Sequence, residues 1–257
     1  MPLPTLEQLR YFLKDSIRQQ VDFTATDQQL GVSPPPIEKP FAADARRIEL
    51  ARPGQWQGVN QLDLAAAIAY RESRRVFRSD PLALDELAFL LWATQGVRSE
   101  IGPGAALRTV PSAGCRHALE TYVCALNVGG LERGVYRYLP REHQLLVEFA
   151  GERLERKLLV GTLGQAFVAR AAAVFVWTAI PYRMEWRYGL AAHKVIALDA
   201  GHVCQNLYLA CEAVGCGTCA VAAYHQEAMD ELLHVDGRDE FTVYLAPVGK
   251  VGTGDRE

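Results

Sequence analysis

The chain has 257 residues, of which 49% are hydrophobic and 22% are charged, and its formal net charge at pH 7 is −3. This composition is typical of a globular protein with a full core, and the small negative charge gives no reason to expect nucleic acid or an anionic membrane as a partner. Because the apolar runs are too short to cross a bilayer and the N-terminus lacks a signal pattern, we expect a cytoplasmic protein.

Residues 1–56 are predicted to form an extension ahead of a main domain that spans residues 57–257. The extension starts with a short amphipathic helix over residues 6–19. Three consecutive prolines, Pro34–Pro36, then favour an extended arm. Such an arm could wrap a partner subunit or cover a pocket, and the simplest alternative is a passive linker.

The segment RESRRVF, Arg71–Phe77, places three arginines around one serine. We predict a helix that is capped by Asn60 and ends in this segment. Arg71 and Arg75, four residues apart, would then share a helix face with Ser73 between them. Guanidinium groups bind phosphate through paired, charge-assisted hydrogen bonds. The cluster therefore predicts a phosphate site, and a solvated helix end is the alternative.

The rest of the chain alternates between helical and strand patterns, with one hairpin, and this favours an α+β fold over a doubly wound parallel sheet. Helices are predicted over residues 80–95, 155–171, 193–214 and around 229–233. Strands are predicted over residues 120–128, 172–180, 220–224 and 241–249, and as a hairpin over residues 135–149. Residues 97–107 are expected to form a mobile glycine-rich loop, and residues 111–120 a turn that enters a short helix.

Two cysteine and glycine patterns near residue 217 invite a redox, metal or nucleotide interpretation. Cys216 and Cys219 form a CxxC, but the motif follows a helix and has no second ligand pair, so we expect buried structural thiols. GCGTCA, residues 215–220, matches a dinucleotide fingerprint, but it leaves a helix instead of opening one. Gly215 is therefore interpreted as a helix C-cap. Asp199 and His202 alone are too few ligands, and we expect no metal site.

Four motifs in this order resemble the FMN-dependent nitroreductase superfamily, over roughly residues 57–250. They are RESRRVF, TVPSAG (residues 109–114), the helical segment at residues 199–224, and YLAPVGK (residues 244–250). Within the superfamily the chain is most similar to the SagB-type dehydrogenases, which are associated with azoline oxidation in peptide natural-product pathways. The resemblance implies a nitroreductase-like α+β fold with a mixed or antiparallel central sheet flanked by helices, in an intertwined homodimer with flavin at the subunit interface.

The resemblance also implies a set of FMN-binding residues. Lys250 would complete the phosphate clamp, with Arg256 as a competing candidate, and Arg74 would be solvent-facing or structural. Gln165 would contact the ribityl chain or the pyrimidine edge, unless it is a solvated helix residue. The full cofactor set implied by the family motifs is Arg71, Ser73, Arg75, Pro111, Ser112, Ala113, Gly114, Gln165, Ala222, Ala223 and Lys250.

The motif RYG, Arg187–Gly189, stands where similar dehydrogenases carry a Lys-Tyr pair for proton handling. Because arginine is not a base near neutral pH, Tyr188 would accept the proton and Arg187 would lower its pKa. Aromatic packing is the alternative. The function implied is oxidation of a thiazoline- or oxazoline-like ring to an azole. An NAD(P)H-dependent nitro or quinone reductase, and a non-catalytic flavin-binding or scaffold subunit, remain as alternatives.

Overall fold

The computed structural model describes residues 3–151 and 153–252. Seven α-helices occur in these residues: Leu6–Leu13 (α1), Leu64–Tyr70 (α2), Leu84–Gln95 (α3), Leu154–Gly161 (α4), Tyr182–Tyr188 (α5), Ala192–Ala213 (α6) and Gln226–Leu233 (α7). The same residues form nine strands: Arg47–Glu49 (β1), Val97–Gly102 (β2), Ala105–Arg108 (β3), Leu119–Ala125 (β4), Gly134–Leu139 (β5), Gln144–Ala150 (β6), Ala173–Ala179 (β7), Cys216–Thr218 (β8) and Phe241–Lys250 (β9).

Seven strands form one sheet in the order β1-β6-β5-β4-β7-β9-β8, and each neighbouring pair is antiparallel. The remaining two strands, β2 and β3, form a separate hairpin. The predicted α+β fold with an antiparallel sheet between helices is confirmed.

The interior strand β7 is buried on both faces, and its alternating side chains enter two separate cores. Phe175 and Trp177 pack with residues of α3 and α6, whereas Val174 and Val176 pack with residues of α4 and α7. Burial of each such side chain stabilises the fold by roughly 1.5–3 kcal/mol. This arrangement fixes α6 on one face of the sheet. No helix in the described part of the chain has the length and apolar character needed to cross a bilayer.

The N-terminal segment lies on the main body instead of forming a passive linker. Strand β1 pairs with β6 at the edge of the sheet. Upstream of it, Ile37 is buried and Arg137 donates a hydrogen bond of 2.8 Å to the carbonyl of Lys39. The first helix is shorter than predicted and ends at Leu13. The domain boundary at residue 57 stays a prediction.

A buried charge cluster holds this segment to the sheet. Glu120 in β4 forms ion pairs with Arg137 and Arg183, and all three side chains are at most 3% exposed. The same carboxylate accepts a 2.9 Å hydrogen bond from the backbone N–H of Lys39. Burial alone would raise the pKa of Glu120, but the two guanidinium groups prevail and lower the pKa below its usual value.

Three sequence-based assignments of local structure were wrong. The expected loop over residues 97–107 is the β2–β3 hairpin, which turns at Gly104 with a φ of +63°. The helix predicted to run to residue 171 ends at Gly161, because Leu163 and Gly164 adopt positive φ angles. The strand expected over residues 220–224 is reduced to a single bridge at Val221, and the strand β8 lies on the CxxC itself.

Candidate functional site

The arginine-rich segment 71–77 is extended and not helical. Helix α2 begins after Asp63, whose carboxylate caps two backbone N–H groups, and it ends at Tyr70, so the predicted cap at Asn60 and the predicted helical end are both corrected. The backbone N–H groups of Arg74 and Arg78 donate to the carbonyls of Thr218 and Lys250. These bonds to the sheet edge replace the local bonds of a helix, and they favour an extended segment.

The extended backbone still brings Arg71, Ser73 and Arg75 to one side, because alternate residues of an extended chain share a face. The Arg71 guanidinium carbon lies 5.3 Å from the ring centroid of Tyr208, and Ser73 Oγ lies 2.9 Å from Tyr208 Oη. The Arg75 guanidinium carbon lies 5.8 Å from the ring of Phe167. Among the described residues, neither Arg71 nor Arg75 forms an ion pair. Two cations next to one hydroxyl are therefore available to an anion.

Arg74 lies on the opposite side of this segment. Its side chain is 7% exposed and forms a 2.9 Å ion pair with Glu72. A Cβ at Gly217 would come within 2.7 Å of the Arg74 side chain, so the glycine makes room for it. Of the two expectations for Arg74, the structural one fits these contacts.

Tyr208 is a site residue that the sequence-based reasoning missed. It projects from α6 and is 9% exposed. Besides its contacts to Arg71 and Ser73, its Oη accepts a 2.8 Å hydrogen bond from the backbone N–H of Ala220. The only signal in the sequence is a tyrosine in a helix of mostly small and aliphatic residues, and this pattern does not indicate which neighbours it contacts.

Gln165 lies next to the segment that carries Ala222 and Ala223. Gln165 Nε2 donates a 2.8 Å hydrogen bond to the carbonyl of Ala223. Both alanines are exposed, and their backbone N–H groups donate to no other described residue. Ala222 and Ala223 therefore present backbone donors that no described residue uses.

An apolar groove of about 420 Å³ starts at Ala222. It runs between α6, the start of β9 and α1, and Ala200, Tyr244 and Phe12 represent these three walls. No Arg, Lys, Asp or Glu occurs among its lining residues. His193 lies at its edge, where Nε2 is 2.8 Å from a carboxylate oxygen of Glu185. Such a groove favours a neutral, flat or apolar ligand.

The loop Pro111–Gly114 lies against the RYG motif. Gly114 has a φ of +60°, and a Cβ there would be 2.6 Å from Tyr188 Oη and 3.0 Å from the Arg187 side chain. Glycine is therefore required both for the turn and for this close approach. The structure thus brings two predicted groups, the loop and the Arg187–Tyr188 pair, into contact within one chain.

Both this loop and the groove border helix α6. Asn206 donates a 2.8 Å hydrogen bond to the carbonyl of Ala93, and Ser112 interacts with Asp199. Burial raises the pKa of Asp199, and the interaction with Ser112 opposes that shift. Ala200, on a different flank of the helix, lines the groove. The predicted cofactor residues therefore form two half-sites, on two flanks of α6.

Lys250 is engaged away from the other predicted phosphate ligands. Its ammonium group forms a 2.5 Å ion pair with Glu86 and donates a 2.9 Å hydrogen bond to the carbonyl of Val214. The two side chains are 20% and 10% exposed. The structure does not bring Lys250 to Arg71 or Arg75, and its role in the clamp stays a prediction. The competing Arg256 lies outside the described residues.

The cysteines of the CxxC are free and buried, as expected of structural thiols. Burial raises the pKa of Cys216 to about 12, so its thiol is a poor nucleophile at neutral pH. Gly215 follows Val214, the C-cap of α6, and its φ of +61° confirms that the helix stops here at a glycine. Within the described residues no group of three or more His, Cys, Asp or Glu is arranged to hold a metal ion.

Comparison with known proteins identifies relatives of this chain. The sequence profile of the nitroreductase family matches residues 68–250. A protein of Methanocaldococcus jannaschii with a provisional nitroreductase name is 35% identical over 196 residues, which cover 76% of this chain and 95% of that protein. The trifolitoxin-processing protein TfxB of Rhizobium leguminosarum bv. trifolii is 28% identical over 133 residues, which cover 50% of this chain and 36% of that protein.

Solved structures give the same result for the fold. A provisionally named nitroreductase from Ralstonia eutropha superposes with a TM-score of 0.66 at 27% identity, covering 86% of this chain and 95% of its own. A chain of the Escherichia coli microcin synthetase McbBCD complex superposes with a TM-score of 0.59 at 19% identity, covering 97% and 98%. Profile, relatives and fold agree, and the chain belongs to the nitroreductase family of oxidoreductases.

Proposed function

We propose that this chain is an FMN-dependent dehydrogenase that oxidises thiazoline- or oxazoline-like rings to azoles on a modified peptide. The observation that carries the proposal is a connection between two groups. Tyr208 links the Arg71–Ser73–Arg75 segment by hydrogen bonds to the segment that carries the unused backbone amides of Ala222 and Ala223. The apolar groove that starts at Ala222 supplies room for a substrate ring.

The phosphate half of the site fits FMN. Two guanidinium groups without a described ion-pair partner match the charge of a phosphate dianion, and Ser73 adds a hydroxyl donor. Burial of an unpaired guanidinium would be costly, but Arg75 is exposed and Arg71 partly exposed, so both remain solvated until an anion binds. Arg71 and Arg75 would thus anchor the phosphate, and aromatic rings hold both side chains in place.

The ring half of the site fits a flavin edge. The backbone N–H groups of Ala222 and Ala223 are fixed by the neighbouring bridge of Val221 to Leu245 in β9. Gln165 is held by the carbonyl of Ala223, so its amide oxygen is left to accept a hydrogen bond. When bound, FMN supplies two-electron chemistry, taking up the hydride equivalent that leaves the substrate.

Aromatisation of an azoline also releases a proton from a ring carbon, and Tyr188 in its phenolate form is the proposed acceptor. Its phenol contacts Gly114, and the Arg187 guanidinium carbon lies 5.5 Å from its ring centroid. Tyr188 contacts Gly114 and does not occur among the residues that line the groove at Ala222, so the proposal takes Tyr188 from a second copy. The proposal therefore includes a homodimer in which each FMN lies between one copy's phosphate half and the other's Pro111–Gly114 loop.

Two comparisons support a peptide substrate, but the proposal does not depend on them. TfxB is named for trifolitoxin processing, and the McbBCD complex was solved with truncated pro-MccB17 bound. An NAD(P)H-dependent nitro or quinone reductase is the second candidate, since the relatives from M. jannaschii and R. eutropha carry that family name. The lack of Arg and Lys among the groove residues favours a neutral ring over a dinucleotide with a pyrophosphate.

The test starts with purification of the full chain and identification of any flavin released on denaturation. We expect yellow protein, release of FMN, and oxygen-dependent oxidation of an azoline-containing peptide. Turnover of NADPH with a nitroaromatic, without azoline oxidation, would support the reductase. Colourless protein that FMN does not reconstitute would support the non-catalytic scaffold subunit instead.

The residues are tested by titrating apoprotein with FMN and following flavin fluorescence. Loss of one charge-assisted contact in Arg75→Ala should weaken FMN binding about 10- to 100-fold. Arg78→Ala is the matched control, because Arg78 is exposed and paired with Asp80. Equal effects of the two changes would contradict the assignment of Arg75.

A further inference from the structure

We infer that Tyr208 is a positioning residue for the phosphate half of the site, and this inference rests on the proposed function. Its hydroxyl links the arginine-rich segment to the segment that carries Ala222 and Ala223. No other described side chain makes a hydrogen bond to both segments.

One of the two hydrogen bonds at Tyr208 Oη has a fixed direction, and it leaves the phenol proton for the other. A phenol has one proton to donate and can accept hydrogen bonds. The backbone N–H of Ala220 has only a proton to offer, so Oη is the acceptor in this 2.8 Å bond. The phenol proton remains, and Ser73 Oγ at 2.9 Å is the partner within reach.

This direction sets the role of Ser73. When Ser73 Oγ accepts a hydrogen bond from the phenol, the proton of the Ser73 hydroxyl is free to point away from Tyr208. A phosphate dianion offers only acceptors, so it requires Ser73 to donate. The resulting chain runs from Ala220 through Tyr208 and Ser73 to the anion, and each bond polarises the next.

The ring of Tyr208 has a second and separable effect. The guanidinium carbon of Arg71 lies 5.3 Å from the ring centroid, within the range of a cation–π contact. Removal of the hydroxyl keeps this contact, whereas removal of the ring eliminates it. Tyr208→Phe therefore tests the hydrogen-bond chain, and Tyr208→Leu tests both effects together.

The experiment compares FMN with riboflavin, which has the same ring system but no phosphate. In Tyr208→Phe we expect FMN binding to weaken about 5- to 20-fold, because one hydrogen bond is lost, while riboflavin binding changes less than about twofold. Tyr208→Leu should weaken FMN binding further. Tyr136→Phe is the matched control, since its buried ring lies in β5 and its hydroxyl bonds only the carbonyl of Glu132.

A second measurement separates positioning from a general structural role. In a Ser73→Ala background, Tyr208→Phe should cause less than about a twofold further loss of FMN affinity, because the chain is already broken. Ser73 is exposed, so its variant keeps the test valid even if Tyr208→Phe unfolds. In that case Ser73→Ala alone must lower the ratio of FMN to riboflavin affinity.

The possible failures are distinguishable. Equal weakening of FMN and riboflavin by Tyr208→Phe, or full additivity with Ser73→Ala, overturns the inference and leaves the proposed function intact. Wild-type protein that binds neither flavin overturns both.

Discussion

The buried carboxylate of Glu120 gives the sharpest test of how this fold is held together. Its pairs with Arg137 and Arg183 involve side chains that are at most 3% exposed, so solvent screens them little. In Glu120→Gln the amide keeps the volume and one acceptor, but it leaves two buried guanidinium groups without their shared counter-charge.

The magnitude follows from the burial. Breaking a buried ion pair by removing one partner costs about 3–5 kcal/mol. For a chain of this size, 1 kcal/mol corresponds to about 2–4 °C in Tm, so Glu120→Gln should lower Tm by about 10 °C. Thermal unfolding at pH 7, monitored by circular dichroism, measures this change in Tm.

Glu148→Gln is the matched control. Glu148 also pairs with Arg137, at 2.7 Å, but its side chain is 29% exposed. A pair of that kind contributes about 0–1 kcal/mol, so Tm should fall by no more than about 4 °C. Similar shifts for the two variants would refute the claim that burial of Glu120 makes its pairs important.

The pH dependence adds a check on the sign. The folded-state pKa of Glu120 is lowered, so its stabilisation is present above the usual value of 4.5 and is lost as pH falls through the folded value. The Tm difference between wild type and Glu120→Gln should therefore shrink in acid. A constant difference from pH 7 down to pH 3 would contradict this explanation.

Three further outcomes are expected. Burial raises the pKa of Glu38 to about 7, so ionisation of this carboxyl destabilises the fold as pH rises from 4.5 through 7. The variant Glu38→Gln should therefore raise the free energy of unfolding at pH 8 by up to about 3 kcal/mol and change it little at pH 5. Urea unfolding measures this, and an effect that does not depend on pH would contradict it. Gly114→Ala should lower the free energy of unfolding by roughly 1–3 kcal/mol, through backbone strain and through collision of the new Cβ with Tyr188 and Arg187. Gly130→Ala should cost less, because Gly130 also has a positive φ but a Cβ there would meet no atom within 4 Å. Equal losses of stability on thermal unfolding would exclude the collision. Lys250→Met should lower Tm non-additively with Glu86→Gln while FMN affinity changes less than about threefold, whereas a tenfold weaker affinity would assign Lys250 to the phosphate clamp.

The elements that the sequence predicted best have one strong periodicity and lie fully in the core. The strand Ala173–Ala179 and the helix Ala192–Ala213 were found within one or two residues of the expected bounds. Their patterns are unambiguous because each packs against the sheet or a helix along its whole length. Gly215 was also correctly interpreted, since the left-handed backbone position that follows many helices is usually occupied by glycine.

The errors arose where distant contacts outweigh local preference. Nothing near Arg71 in the sequence reveals that Thr218 and Lys250 supply its segment with backbone hydrogen-bond partners. The grouping of Arg71, Ser73 and Arg75 stays a prediction that the extended chain also allows, because positions two and four apart share a face in it. Tyr208 was missed for the same reason as the extended segment, since its partners lie 135 and 12 residues away.

The position of α6 between the two half-sites has a consequence for mixed assemblies. If each copy lends its Arg75 to one site and its Tyr188 to the other, two variants that are each impaired alone at limiting FMN can rescue each other. A pair made of Arg75→Ala and Tyr188→Phe copies would contain one intact centre and one doubly defective centre. With random exchange of subunits, half of the dimers are mixed, so the mixture should recover about a quarter of wild-type turnover. Recovery of activity when the two variants are mixed would thus show that each site is built from both subunits, without a structure of the bound ligand.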